Sequence, residues 1–204
     1  MDTNTSSKAP RNWALWAAMV MLAAGVVALL YVLFAASSKP EANAGLMQYA
    51  QGDMRRLQIM EAAPPMPTRA LTDAQGLETN LQAYQGEVVV LNLWATWCAP
   101  CVEEMPTLGA LQRHFGDRLK VIPISVDGEA DRANAVRQLG ELSDNSLPFL
   151  MDMTRGVLFD AQAAGMPVTI IYDRNGQERA RLAGGADWAS PEAIALLEAV
   201  LARE

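Results

Sequence analysis

Residues 87–94 carry Val88, Val89, Val90, Leu91 and Leu93 in a near-continuous apolar run, and the two cysteines of the chain, Cys98 and Cys101, follow close behind it. A run of that kind suits a strand covered on both faces, which restricts the chain to a layered α/β arrangement. Residues 98–115 carry helical spacing with Pro106 inside, where a kink is expected. A second strand at 119–126 and a second helix at 129–142 complete a β-α-β-α order. Strands joined through a helix run parallel. The cysteines therefore fall where a buried strand hands over to the start of a helix.

Further along, residues 168–172 and 178–182 flank Asp173-Arg174-Asn175-Gly176, and an Asn-Gly turn predicts a hairpin. Ser190-Pro191-Glu192 opens a last helix, with Ser190 as its cap and Pro191 at the first helical position. Upstream, a short strand is expected at 69–72 and a turn at 73–76, and Asn80 caps one helical turn that ends at Tyr84 before Gly86. The reading is an α/β domain over residues 68–204, a central mixed sheet flanked by helices.

The chain before residue 68 divides differently. Residues 13–36 contain no charged side chain. As a helix rising about 1.5 Å per residue they would reach roughly 36 Å, against about 30 Å of bilayer core. Trp13, Trp16 and Tyr31 stand near the two ends, where amphipathic rings favour the interface. A cleaved secretory signal is the competing reading, but its apolar core extends to about 15 residues. Ala42-Asn43-Ala44 has the small-x-small form of a cleavage site, yet lies well past the run. An uncleaved, single-pass transmembrane anchor is the expectation. Lys8 and Arg11 precede the span and only Lys39 follows closely, so residues 1–12 are expected in the cytoplasm and the C-terminal domain outside. Residues 37–67 read as a linker. Within it, Leu46, Ala50, Met54, Leu57 and Met60 predict an amphipathic helix over 45–63, stopped by Pro64-Pro65-Met66-Pro67.

Sixteen Lys and Arg against 23 Asp and Glu give a net charge of −7, with no basic stripe of the kind a nucleic-acid surface needs. A disulfide between Cys98 and Cys101 closes too short a loop to stabilise the fold much, so redox chemistry explains the pair better than stapling. C-x-x-C beside a β-α-β unit is the arrangement of thioredoxin-like redox sites. The positive end of the helix favours a thiolate at Cys98 and lowers its pKa below the free value of about 8.5. Cys101, one turn along, is placed to attack the mixed disulfide that Cys98 forms, and Pro100 stiffens the turn between them. Glu104 lies on the same helix face as Cys101 and is a candidate to take its proton. Glu103 points elsewhere and only favours the helix end. Zinc would need more ligands than one histidine, His114, supplies. A thiolate pair could hold Cu(I).

The segment Leu91-Asn92-Leu93-Trp94-Ala95-Thr96-Trp97-Cys98-Ala99-Pro100-Cys101, followed by Glu104-Met105-Pro106, closely resembles the active site of the TlpA-like (TlpA/ResA) family of thiol–disulfide oxidoreductases. Gly165-Met166-Pro167-Val168-Thr169 resembles their cis-proline loop, and Trp188-Ala189-Ser190 looks like TlpA proper. The resemblance covers about residues 45–201. It implies a thioredoxin fold with added N-terminal elements, anchored in the bacterial inner membrane and facing the periplasm. It implies a redox-active disulfide Cys98–Cys101, assistance from Glu104, and substrate contact through Trp97, Pro100, Met166 and a cis Pro167. Many thioredoxins place a buried acid where this chain has Asn92, which cannot accept a proton. No cofactor and no metal are implied.

What the resemblance implies about function is a reductase of protein disulfides, because Ala99-Pro100 resembles the reducing members. Expected substrates are proteins with cysteine pairs, a copper chaperone or a copper-site subunit of cytochrome oxidase first, with apocytochrome c thiols as the alternative. A transmembrane thiol reductant of the DsbD or CcdA type would supply electrons, since the periplasm is kept oxidising. A copper chaperone that is no enzyme is the competing class. Sco-like chaperones use a wider cysteine spacing and a distant histidine, and neither is present. A thiol peroxidase would need a Pro-x-x-x-Thr-x-x-Cys pattern, which is also missing.

Overall fold

In the computed structural model of the chain, residues 13–37, 45–60 and 64–204 are described. The expectations for residues 1–12, for Lys39, for Ala42-Asn43-Ala44 and for the end of the 45–63 helix lie outside them. The chain divides into two compact units, Met1–Ala42 and Asn43–Glu204.

The first unit is built on helix α1 (Trp13–Ser37), 25 residues rich in alanine and leucine, both strong helix formers. Its described side chains, 13 and 15–31, are exposed. Among the described residues no helix is long and apolar enough to cross a membrane. The helical backbone itself continues beyond those side chains to Ser37.

The second unit is the thioredoxin fold. Its strands are β1 (Gln58–Ile59), β2 (Leu71–Asp73), β3 (Glu78–Thr79), β4 (Val89–Trp94), β5 (Lys120–Ser125), β6 (Leu150–Met151), β7 (Val168–Tyr172) and β8 (Glu178–Ala183). They form one sheet in the order β1-β8-β7-β4-β5-β6-β2-β3. Strand β4 runs parallel to β5 and antiparallel to β7, so the sheet is mixed, as the residue pattern predicts. Every residue of β4 and of β7 is buried. Helices α2 (Ala99–Phe115), α3 (Arg132–Ser143), α4 (Gly156–Asp160) and α5 (Pro191–Leu201) complete the unit. Helix α2 continues through Pro106. The caps read from the chain are present: Asn80 Oδ1 accepts from the Gln82 N–H, and Ser190 Oγ from that of Ala193.

The segment expected to be a linker holding one amphipathic helix has a different structure. It forms two 3₁₀ turns, Leu46–Tyr49 and Gly52–Arg56, followed by β1, which pairs with β8 at the sheet edge. Gly52 sits at φ +54°, a left-handed conformation that interrupts an α-helix. Leu46 and Met54 are fully buried and Leu57 nearly so, all in the same core as the sheet. The apolar spacing reported burial correctly and the element wrongly. The packed domain therefore begins near residue 45 rather than 68. Strands β1, β3 and β6 and helix α4 were not expected; two-residue strands carry no periodicity to read.

Candidate functional site

Strand β4 delivers the chain to the carboxyl edge of the sheet, and Trp94 leads through a short turn to Cys98, the N-cap of α2. The Cys98 N–H donates to the Ala95 carbonyl at 3.1 Å, and the Cys98 carbonyl accepts from Cys101 and Val102. Cys98 and Cys101 are joined as a disulfide with Cα atoms 5.3 Å apart. The two sulfurs are not equivalent. Cys98 keeps 7% exposure, whereas Cys101 has none. Trp97 beside them is 62% exposed, and Pro100 is exposed as well.

Asp127 fixes the turn before the cysteines. Its carboxylate, buried after β5, accepts from the Thr96 N–H at 3.0 Å, from the Thr96 hydroxyl at 2.8 Å and from the Ser125 hydroxyl at 2.8 Å. Arg155 lies on the rim, its guanidinium 5.9 Å from the centre of the Trp97 ring, while its Nε donates to the Val126 carbonyl. That is within the range where a cation is attracted to an aromatic face.

Glu104 lies one turn into α2 from Cys101 and is 4% exposed. Its Oε1 accepts from Asn92 Nδ2 at 2.8 Å, and its Oε2 from the Ala186 N–H at 3.0 Å. Asn92 Nδ2 also donates to Thr169 Oγ1 at 2.9 Å, which ties β4, β7 and α2 together beneath the disulfide. Burial strips water from the carboxylate and pushes its pKa up to about 7; Asn92, Ala186, Trp188 and Arg56 favour the anion but do not outweigh burial. A carboxyl that titrates near neutral pH can both take and return a proton under ordinary conditions. Glu103, by contrast, is exposed. His114 stands in the last turn of α2, edge-to-face with Phe115, far along the helix from the cysteines.

The Met166–Pro167 peptide bond is cis. It directly precedes β7, whose first residue Val168 pairs with Leu93 of β4, so the loop stands at the same sheet edge as the cysteines. Pro167 is buried and its carbonyl accepts from the Gly184 N–H; Met166 is half-buried. A groove of about 260 Å³ runs past this loop, bounded by Gln58, Gln162, Met166, Pro167, Arg181 and Gly184.

The residues expected at the site thus gather at one edge of the sheet, Cys98, Cys101 and Glu104 on the first turns of α2 and Met166–Pro167 at the entrance to β7. Asp127, Arg155 and residues 184–187 were not anticipated, and Thr169 and Trp188 were read only as members of motifs, without a contact at the site. Asn92 left a trace, as the one polar residue inside an apolar run, and Thr169 and Trp188 did so through their motifs; Asp127, Arg155 and residues 184–187 reach the site by folding from distant segments and left none.

A family model described as the AhpC/TSA family matches residues 62–180. The thioredoxin-like protein YneN of Bacillus subtilis is 34% identical over 110 residues, which is 54% of this chain and 64% of YneN. The thiol-disulfide oxidoreductase ResA of Geobacillus kaustophilus is 31% identical over 119 residues, 58% of this chain and 67% of ResA. Among solved structures, a thio-disulfide isomerase from Thermus thermophilus superposes with a TM-score of 0.55 at 26% identity, over 71% of this chain and 97% of its own.

Proposed function

The chain belongs to the AhpC/TSA family and its C-x-x-C domain is that of a thiol–disulfide oxidoreductase, and on that premise we propose that the protein is a membrane-anchored reductase of protein disulfides. The observation that carries this reading is the asymmetry of the cysteine pair: a Cys98 at a helix start that keeps 7% exposure, and a Cys101 with none, one turn from a carboxyl poised near neutral pH. In the reduced protein the Cys98 thiolate attacks one sulfur of a substrate disulfide. That bond breaks, one substrate sulfur leaves as thiolate, and a mixed disulfide with Cys98 forms. Cys101 then gives its proton to Glu104 and attacks Cys98 Sγ, so the second substrate sulfur leaves as thiolate. Two electrons pass to the substrate and the Cys98–Cys101 disulfide closes.

Trp97 and Pro100 serve as the exposed surface on which the substrate rests, with the backbone at Met166–Pro167 pairing with an extended substrate segment. The single-pass anchor in the bacterial inner membrane is assigned to residues 13–36 on their sequence, an uncharged run with aromatic residues near both ends, although no described helix is long and apolar enough to cross a membrane. The domain from residue 45 onward works in the periplasm, and a transmembrane thiol reductant of the DsbD or CcdA type returns electrons to Cys98–Cys101. The substrate class we favour is a copper chaperone or copper-site subunit of cytochrome oxidase, a reading supported by the TlpA-like Trp188-Ala189-Ser190.

Trapping tests this. Cys101→Ser leaves Cys98 without its resolving partner, so the protein should hold its substrate as a mixed disulfide that a thiol reductant releases. Recovery of copper-site proteins supports the assignment; recovery of apocytochromes c would replace the substrate while keeping the chemistry. A reduction potential above roughly −180 mV, the range of disulfide isomerases, would overturn the reducing direction.

A further inference from the structure

The segment between the anchor helix and the sheet reaches the proton acceptor of the resolving cysteine. The 3₁₀ turn Gly52–Arg56 is held by Met54 and Leu57, both buried in the core, which leaves Asp53 and Arg56 at the surface beside the loop 184–188. Arg56 donates a hydrogen bond from its guanidinium to the Gly185 carbonyl. Asp53 Oδ2 accepts from the Asp187 N–H at 3.3 Å. Between these two attachments lies Ala186, whose N–H donates to Glu104 Oε2. The loop also lies close against the start of α2. Gly184 is at φ +84°, and a Cβ on Gly185 would stand 3.2 Å from the Pro100 carbonyl oxygen. The loop is clamped from outside by the N-terminal segment and seated from inside on the start of α2.

We propose that Arg56 is a positioning residue for the resolving step: by holding the Gly185 carbonyl it keeps the Ala186 N–H on Glu104, and its charge favours the carboxylate that receives the Cys101 proton. The groups facing Glu104 from the elements packed on it are Asn92 of β4, Ala186 and Trp188 of the loop, and Arg56 of the 3₁₀ turn, which is the charged group among those that shift it. Loss of Arg56 removes one favourable charge and leaves the Gly185 carbonyl without this bond, so the Ala186 N–H of the same peptide unit is no longer held on Glu104. Both effects make the anion harder to form, and resolution then requires a higher pH.

The inference rests on the reading of Glu104 as proton acceptor, and the test separates the two. The full chain in detergent micelles is reduced, loaded at Cys98 with glutathione as a mixed disulfide, and followed for glutathione release by Cys101 between pH 5 and 9. Arg56→Gln should move the midpoint of that profile up by about half a pH unit to one unit. Arg56→Lys should recover part of the displacement, and Arg55→Gln, on the same turn, should leave the profile in place. An Arg56→Gln profile superimposable on the wild type, or an equal displacement from Arg55→Gln, overturns the proposal. Thermal unfolding of each variant shows whether it is folded; if Arg56→Gln does not fold, Arg56→Met, which also lacks the charge and the donor, decides by the same criterion. Glu104→Gln provides the separate check. A Glu104→Gln profile that keeps the wild-type midpoint overturns the role of Glu104, whereas a lost midpoint with no effect of Arg56→Gln overturns only the role of Arg56.

Discussion

Glu104 carries the chemistry that a single substitution can isolate. Its pKa in the folded chain, about 7, lies above the ordinary 4.5, so between those values the native state holds a proton that the unfolded chain has released. Stability from this group is complete below pH 4.5 and is lost as pH rises through 7. Glu104→Gln should therefore flatten the pH dependence of unfolding and stabilise the protein at pH 8, by at most about 3 kcal/mol given 1.36 kcal/mol per unit. Chemical denaturation at pH 5 and pH 8 measures this, and equal losses at both pH values would contradict it. The cysteines make a second expectation. After reduction, alkylation should modify Cys98 well before Cys101, because Cys98 alone keeps surface and sits at the N-cap; mass spectrometry of quenched time points reads the order. Equal labelling of both would remove the assignment of attacker and resolver.

At the scale of elements, α2 has to do two things, present the cysteines and pack closely on α3. Gly109 allows the second. A Cβ there would lie 2.8 Å from the Ser143 carbonyl oxygen and 2.9 Å from its Cα, both backbone atoms at the end of α3. Gly109→Ala should cost about 1–3 kcal/mol through overpacking, more than the small gain in helix propensity returns. Urea unfolding at fixed pH reports it, and an unchanged midpoint would show that α3 can move away freely. The turn between β4 and α2 depends on Asp127 in a comparable way, since three hydrogen bonds converge on one buried carboxylate. This element was legible only in part. The apolar run of 87–94 and the helical spacing after it announced strand and helix, yet nothing near Thr96 indicated that an acid 31 positions along would hold the turn.

For the whole molecule, the N-terminal extension is part of the fold. Leu46, Met54 and Leu57 each bury a large apolar side chain in the common core, worth about 1.5–3 kcal/mol apiece. A chain beginning at residue 64 therefore forfeits an amount comparable to the whole stability of an ordinary domain, about 5–15 kcal/mol. It should lose its cooperative thermal transition, while one beginning at residue 43 should keep it. Circular dichroism melting of the two distinguishes them; a sharp transition in the shorter chain would return the segment to the status of a linker.

The division between chain and fold follows from the range of the forces involved. Residues 88–94, the C-x-x-C spacing, the Asn-Gly hairpin and the caps Asn80 and Ser190 act through near neighbours, so periodicity and local hydrogen bonding were enough to place β4, α2, the hairpin and α5 from the amino acids alone. The apolar residues 46, 54 and 57 were equally visible as residues that must be buried, but whether they face a helix partner, a membrane or the sheet depends on Gly52 and on what the rest of the chain offers. The raised proton affinity of Glu104 belongs entirely to the fold. Removal of water around its carboxyl requires β4, the loop 184–188 and the Gly52–Arg56 turn to come together from three separate stretches of chain, and that enclosure exists only once they have assembled.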